Sequence, residues 1–344
     1  MNRQDPVALN AETQALAVRP FTENVIPQLL AWRNAGIPSA LVTLVGVEGS
    51  APRRIGSQMA VNAEGEHVGY ISSGCAEAAI VLEAQDTIQS ATPRSIRYGA
   101  GSKYVDIVLP CGSGIDVYFD PSISTEVLER LNESLLARRP AAMIFDPSSG
   151  TRVALCNGHD SNVAQGDNTF YSKVYLPAPR VIIAGRGVNV DYVARFAYQL
   201  EWDVCIATPD HNTIDRVAPF ARHCQHLNRP EDFDQSGIDP YTVVILLFHD
   251  HEWEPTILAK CQDTPAIYVG ALGSRRTHNV RKMMLEELGC DPAFINSIRG
   301  PVGLSIGAKN PAEIALAVVG EILSESAKMS ASSEAAFHRR REVA

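Results

Sequence analysis

From Arg180 onward the chain repeats one pattern, a short run of consecutive apolar residues followed by a helical stretch, and this narrows the folds open to it more than any other feature. The runs are RVIIAG from Arg180, DVCIAT from Asp203, a short one near His226, YTVVILLF from Tyr241 and AIYVGA from Ala266. Unbroken apolar strands are buried on both faces, and strands separated by helices pair in parallel, so the pattern predicts a doubly wound parallel sheet of the Rossmann-like kind. Helices are predicted after Gly187, from Glu254 and from Ser274. A last one opens at Asn310-Pro311-Ala312-Glu313, where Asn caps, Pro fills the first helical position and Glu completes a capping box.

The first half has another texture. Glu23 to Asn34 reads as an amphipathic helix, followed by the β-rich ALVTLVGVEGS, a loop APRRIGS and a hairpin of QMAVN and HVGYIS turning at Glu64-Gly65. A helix from about Cys75 to Gln89 comes next, then short strands around Ser95 to Tyr98, Tyr104 to Leu109 and Gly114 to Phe119, a helix over Glu126 to Arg138 and the strand AAMIF. The fold class is therefore α/β: an N-terminal α+β domain over 1–150, a linker over 151–179, a C-terminal Rossmann-like doubly wound parallel sheet over 180–325, and a small, polar mobile tail over 326–344. Two domains with a cleft between them are expected.

Several function classes fall away on composition. A net charge of −9 over 344 residues argues against a nucleic-acid backbone as partner. No apolar run approaches a membrane span, and the opening MNRQDPVALN lacks the basic start and apolar core of a secretory signal, so a cytoplasmic protein is expected. The seven cysteines are widely spaced with no CxxC, which argues against a disulfide framework or a zinc site. Most are expected to be small buried residues, so a functional cysteine has to be argued from its setting.

Two cysteines have such a setting. Cys75, after Gly74 in SSGCAE, falls where a strand passes into a helix and is expected in the first helical turn, where free N–H groups stabilise a thiolate or a bound anion; the same position suits a small residue at a tight packing point. Cys111, in PCGSG with Gly112, lies on a glycine-flanked loop between apolar strands, which suits backbone approach to a ligand or an ordinary turn. Arg53 and Arg54 in GSAPRRIGS can clamp a phosphate or carboxylate, or simply be solvated.

In the second half a nucleotide or anion site is expected at the carboxyl ends of the strands. Gly185 and Gly187 supply two glycines of a dinucleotide fingerprint, with Asn189 in the turn, Val190 in the third glycine position and Asp210 displaced into the loop after the second strand. His249 and Asp250 read as a proton-transfer pair, a metal-binding pair or a capping cluster. Gly273, Ser274, Arg275 and Arg276 read as a helix-start anion site or a solvated helix start.

Ordered blocks along nearly the whole chain resemble one family. GSAPRRIGSQMAV, GYISSGCAEAAI and LPCGSGIDV in the first half, with VIIAGRGVNV, LLFHDHEWE, YVGALGSRRTH and PVGLSIGAKNPAEIALAVVGEI in the second, are similar to the XdhC/CoxI-type accessory factors that mature molybdenum hydroxylases such as xanthine dehydrogenase. The resemblance implies a cytoplasmic, non-catalytic chaperone that binds molybdenum cofactor (molybdopterin or its cytosine dinucleotide form), protects it, assists exchange of an oxo for a sulfido ligand, and delivers it to an apo molybdenum hydroxylase of the xanthine or aldehyde dehydrogenase type. A cysteine desulfurase and a cofactor nucleotidyltransferase are the implied upstream partners, and a homodimer can cover an exposed cofactor. Cys75, Cys111, Arg53, Arg54, Gly74 and Gly112 match the family's cofactor-side motifs, whereas Asn189 stands where the family's turn carries His, and Thr208-Pro209-Asp210 where it carries Asp-Pro-Arg. Two rivals remain: an NAD(P)-dependent oxidoreductase using the Rossmann-like half with His249 as acid/base, and a scaffold whose Rossmann-like half binds no ligand.

Overall fold

The computed structural model describes residues 22–50, 53–72, 74–102, 112–145, 152–155, 171–248 and 252–339, with the backbone alone at 152–155, 171–172 and 327–339. The chain forms two compact units, Met1–Leu176 and Pro177–Ala344. No helix among the described residues is long and apolar enough to cross a membrane.

In the first unit, α1 (Ile26–Asn34) leads into β1 (Ser39–Glu48), β2 (Gln58–Asn62), β3 (His67–Gly69), α2 (Glu77–Ser90), β4 (Arg94–Gly99) and β5 (Gly114–Asp120). These strands make an antiparallel sheet in the order β3-β2-β1-β5-β4. After α3 (Thr125–Leu136), β6 (Ala141–Phe145) pairs with β7 (Arg152–Leu155) and β8 (Tyr171–Tyr175) in a second, three-stranded sheet. The stretch read as a linker thus supplies two strands, and the first unit runs on to Leu176.

The larger sheet is buried on both sides, as strand alternation requires. Leu41, Ala60 and Tyr118 join α1, α3 and the second sheet in one core, while their neighbours Val42, Val61, Val117 and Phe119 join Ile80 and Ala84 of α2 in the other. A bulge in β1 falls between Leu44 and Gly46, and a Cβ on Gly46 would stand 2.6 Å from Asp116 Oδ2, so a larger residue there would push the Asp116 side chain aside.

The second unit begins at the middle of its sheet. It runs β9 (Arg180–Gly185), α4 (Val188–Gln199), β10 (Asp203–Thr208), α5 (His211–Val217) and β11 (His223–His226), then returns through β12 (Thr242–Leu247), α6 (Glu254–Cys261), β13 (Tyr268–Ala271), α7 (Arg275–Glu287), α8 (Pro292–Ser297) and α9 (Pro311–Arg339). All neighbours pair in parallel in the order β11-β10-β9-β12-β13, the predicted doubly wound arrangement, with its switch point between β9 and β12. Val181, Ile183, Ile245 and Leu247 face α4 and α9, and the alternate Ile182, Ala184, Val244 and Leu246 face α6 and α7. The capping box at the start of α9 is formed, Asn310 Oδ1 accepting from the Glu313 amide at 3.0 Å and Glu313 from the Lys309 amide at 2.8 Å. The helix then continues to Arg339 through the residues read as a tail.

One buried interaction could not be foreseen. Arg281 of α7, 2% exposed, holds Glu254 of α6, 1% exposed, at 2.9 Å, and also donates to the Leu272 carbonyl at 2.7 Å just beyond β13. Removing one partner strands a buried charge, so Arg281→Met is expected to lower unfolding free energy by about 3–5 kcal/mol, while the double variant Glu254→Leu/Arg281→Met recovers most of the loss. Urea unfolding of the three proteins checks this.

Candidate functional site

Cys75 lies on the loop that carries the chain from β3 into α2. It is exposed and stands two residues before the first helical residue, Glu77, so it sits ahead of the first turn rather than within it. Gly74 has φ +104 with open space where a Cβ would stand, and it turns the loop outward. The loop amides ahead of α2 are engaged by side chains of the chain itself. The Glu77 carboxylate accepts from the amides of Ile71 at 3.1 Å, Ser72 at 2.7 Å and Gly74 at 2.7 Å, and from the Ser72 hydroxyl at 2.5 Å. Ser72 Oγ in turn accepts from the Ala76 amide at 2.7 Å. Partial burial pushes the Glu77 carboxyl upward, but the bonds from Ser72, Gly74 and Ile71 outweigh it and hold the group below the usual carboxylate range. Glu77 thus closes the loop into a ring that presents Cys75 outward.

Among the other described cysteines, Cys261 is buried, its thiol pushed up to about 12 by desolvation, and Cys205, Cys224 and Cys290 are half-buried. Cys111 and Cys156 lie outside the described residues, as does the expected strand Tyr104 to Leu109. Beside Cys111, Gly112 is exposed at φ +65. The chain after it is fastened by Arg97, which bonds the Ala100 carbonyl at 2.8 Å, pairs with Asp116 at 3.1 Å and also pairs with Glu48.

The two arginines of the APRRIGS loop part company. Arg54 is exposed. Arg53 lies 4.1 Å over the Tyr70 ring, donates to Tyr70 Oη at 3.2 Å and forks onto both oxygens of Glu23 at 2.6 and 2.8 Å. Tyr70 immediately precedes Ile71, so the arginine loop is fastened beside the ring that carries Cys75. Lys173 of β8, inside the stretch read as a linker, lies in the same neighbourhood. Its ammonium donates to Gln58 Oε1 at 2.8 Å and sits 4.6 Å over the Tyr175 ring. Burial is the main cause that lowers its pKa to about 8; Glu23 opposes the shift and Arg53 adds to it.

At the carboxyl ends of the parallel strands, the turn after β9 is tied to the turn after β10. The Gly187 amide, at φ +84, donates to Thr213 Oγ1 at 3.1 Å, and that hydroxyl donates to Asp210 Oδ2 at 2.5 Å. Asp210 caps α5 through the amides of Asn212 and Thr213, and its hydrogen bond from the Thr213 hydroxyl leads the causes that depress its pKa. It is a cap rather than a free ribose acceptor. Gly185 packs against β12, where a Cβ would meet the Leu247 carbonyl at 2.7 Å. Asn189 is 4% exposed, and among the described residues its Oδ1 meets no hydrogen-bond donor. Ser274 caps α7 by accepting from the Thr277 amide at 3.1 Å, Gly273 at φ +142 makes the turn into it, and Arg275 is exposed at its first position. His249 and Asp250 lie outside the described residues. Among the described residues, no three His, Cys, Asp or Glu side chains are grouped to hold a metal ion.

Glu77→Gln is expected to destabilise the first unit by about 1–3 kcal/mol, because an amide cannot satisfy every donor of the ring. A carboxylate whose pKa is depressed by folding contributes above its unfolded value and loses that contribution as pH falls through the folded one. The gap between wild type and variant in urea unfolding is therefore expected to be full at pH 7 and to narrow below about pH 4.

Comparison with known proteins agrees with this layout. Residues 181–322 match the XdhC Rossmann domain, and residues 32–99 match the XdhC and CoxI family. The molybdenum cofactor insertion chaperone PaoD of Escherichia coli K12 is 34% identical over 291 residues, 84% of each chain. A Bacillus subtilis 168 protein described as a probable subunit of xanthine dehydrogenase is 26% identical over 315 residues, 83% of this chain and 92% of the relative. A crystal structure described as a xanthine dehydrogenase from Bacillus halodurans, 24% identical, aligns with a TM-score of 0.73 over 88% of this chain and 96% of the other, a likeness of fold. By its matched segments and its relationship to PaoD, the chain belongs to the XdhC and CoxI family.

Proposed function

We propose that this protein is a molybdenum-cofactor insertion chaperone. The observation that carries the reading is its relationship to PaoD over 84% of both chains. The exposed thiol of Cys75, set on a ring closed by Glu77 and flanked by the Arg53 loop, supports it. Cys75 and Cys111 supply soft thiolates toward molybdenum or the sulfur it receives. Arg53 and Arg54 face the cofactor phosphate, and Gly74 and Gly112 let backbone approach the flat pterin. The protein shields the bound cofactor, holds it while persulfide sulfur from a cysteine desulfurase replaces the terminal oxo ligand, which leaves as water as two cellular thiols supply two electrons by forming a disulfide, and passes the cofactor to an apo hydroxylase of the xanthine or aldehyde dehydrogenase type. Within the second unit, the β9–α4 turn with Asn189 and the Ser274–Arg275 helix start are assigned to an anion or nucleotide of their own.

The test is anaerobic purification from cells that make molybdenum cofactor, followed by assay of bound molybdenum and of fluorescent oxidised pterin. Near-stoichiometric pterin is expected, falling several-fold in Cys75→Ala and Cys111→Ala and holding in Cys156→Ala. Absence of pterin with saturable NAD(P) binding would overturn the chaperone reading in favour of an oxidoreductase.

A further inference from the structure

Among the described residues of the first unit, one cationic cluster has fewer carboxylates than cations. Arg53 is 18% exposed and paired with Glu23, a side chain 63% exposed, so water competes for the carboxylate end of the pair. Among the described residues the Nε of Arg53 is buried without an acceptor. Among the described residues Lys173 has no carboxylate at ion-pair distance; a neutral amide oxygen and an aromatic face hold its ammonium. Gln58 cannot do more for it, because the same Oε1 also accepts from Tyr175 Oη at 2.8 Å while its Nε2 is spent on Thr43 Oγ1 at 3.1 Å. Among the described residues the charges felt by Lys173 are Glu23, favourable, and Arg53, unfavourable, so there two cations share one exposed carboxylate. A Cβ on Gly56 would touch the Lys173 stem at 3.9 Å, which places the lysine under the same loop that carries Arg53.

We infer that Arg53 and Lys173 form a subsite for the dianionic phosphate of a phosphomonoester, and that Glu23 occupies this subsite as an internal stand-in until the ligand displaces it. A guanidinium fork and a three-donor ammonium match the several acceptor oxygens of a phosphate, and a doubly charged group balances both cations where a single carboxylate balances one. Displacement sets free an exposed glutamate, which water solvates readily. Assignment of this phosphate to the cofactor's pterin arm rests on the chaperone reading above.

The experiment has two arms. In the first, calorimetric titration with inorganic phosphate at low salt compares wild type, Glu23→Gln and Lys173→Met. Removal of the competing carboxylate is expected to tighten phosphate binding about fivefold, a gain that misfolding cannot mimic, and loss of the ammonium to weaken it about tenfold or more. Affinity unchanged in either variant overturns the subsite. In the second arm the same proteins are purified anaerobically from cofactor-producing cells, and pterin retention is expected to fall in Lys173→Met and to hold in Glu23→Gln. Retention equal to wild type in Lys173→Met, with the phosphate pattern intact, overturns the cofactor assignment and leaves a site for another phosphate. A wild type that carries no pterin yet shows the phosphate pattern keeps the subsite and overturns the chaperone reading.

Discussion

Both five-stranded sheets are covered on two faces, and everything else in the structure is arranged around that burial. Alternate residues of β1, β2 and β5 enter separate cores, as do alternate residues of β9 and β12. With roughly 25 cal/mol gained per Å² of apolar surface removed from water, a polar side chain in a strand interior is tolerated only when fully partnered. Gln58 of β2 is such an exception, its amide bonded to Thr43, Tyr175 and Lys173. The chemistry-bearing residues are pressed to the strand ends and the loops that follow them.

At those ends the chain's own side chains satisfy much of the helix-start polarity. Glu77 gathers the amides ahead of α2, Asp210 caps α5, Ser274 caps α7, and Asn310 with Glu313 closes the start of α9. Each takes up one or more of the donors at its helix start. The outward-facing thiol of Cys75 and the underbalanced Arg53–Lys173 cluster stand apart from this pattern, because their polar groups face outward or lack a full counter-charge.

Long periodic elements were legible because the burial that shapes them also writes the period. The parallel order of the second unit follows from its apolar runs, and the α9 capping box from four consecutive residues. What escaped was short or relational. β7 and β8 are four and five residues long in a stretch without clear alternation, so they read as a linker, and with them went Lys173, whose setting comes from pairing opposite Met143. The short helices α5 and α8 were also missed, although Asp210 ahead of Asn212 and Thr213, and Asp291 ahead of Pro292, are recognisable caps. Cys75 was placed two residues too deep, about half a turn, because the acidic side chain of Glu77, rather than a capping residue ahead of it, organises the start of α2.

Thr213 carries a consequence for how the second unit responds to a ligand. Its hydroxyl receives the Gly187 amide and an Arg216 donor and gives its own proton to Asp210, while Arg216 also grips Asp191 of α4 at 2.7 Å. The glycine turn and α5 are therefore mechanically coupled: a ligand that draws the Gly187 amide toward itself loosens the first turn of α5. Amide exchange at Asn212 and Thr213 becomes a remote gauge of occupancy at a turn they do not themselves line.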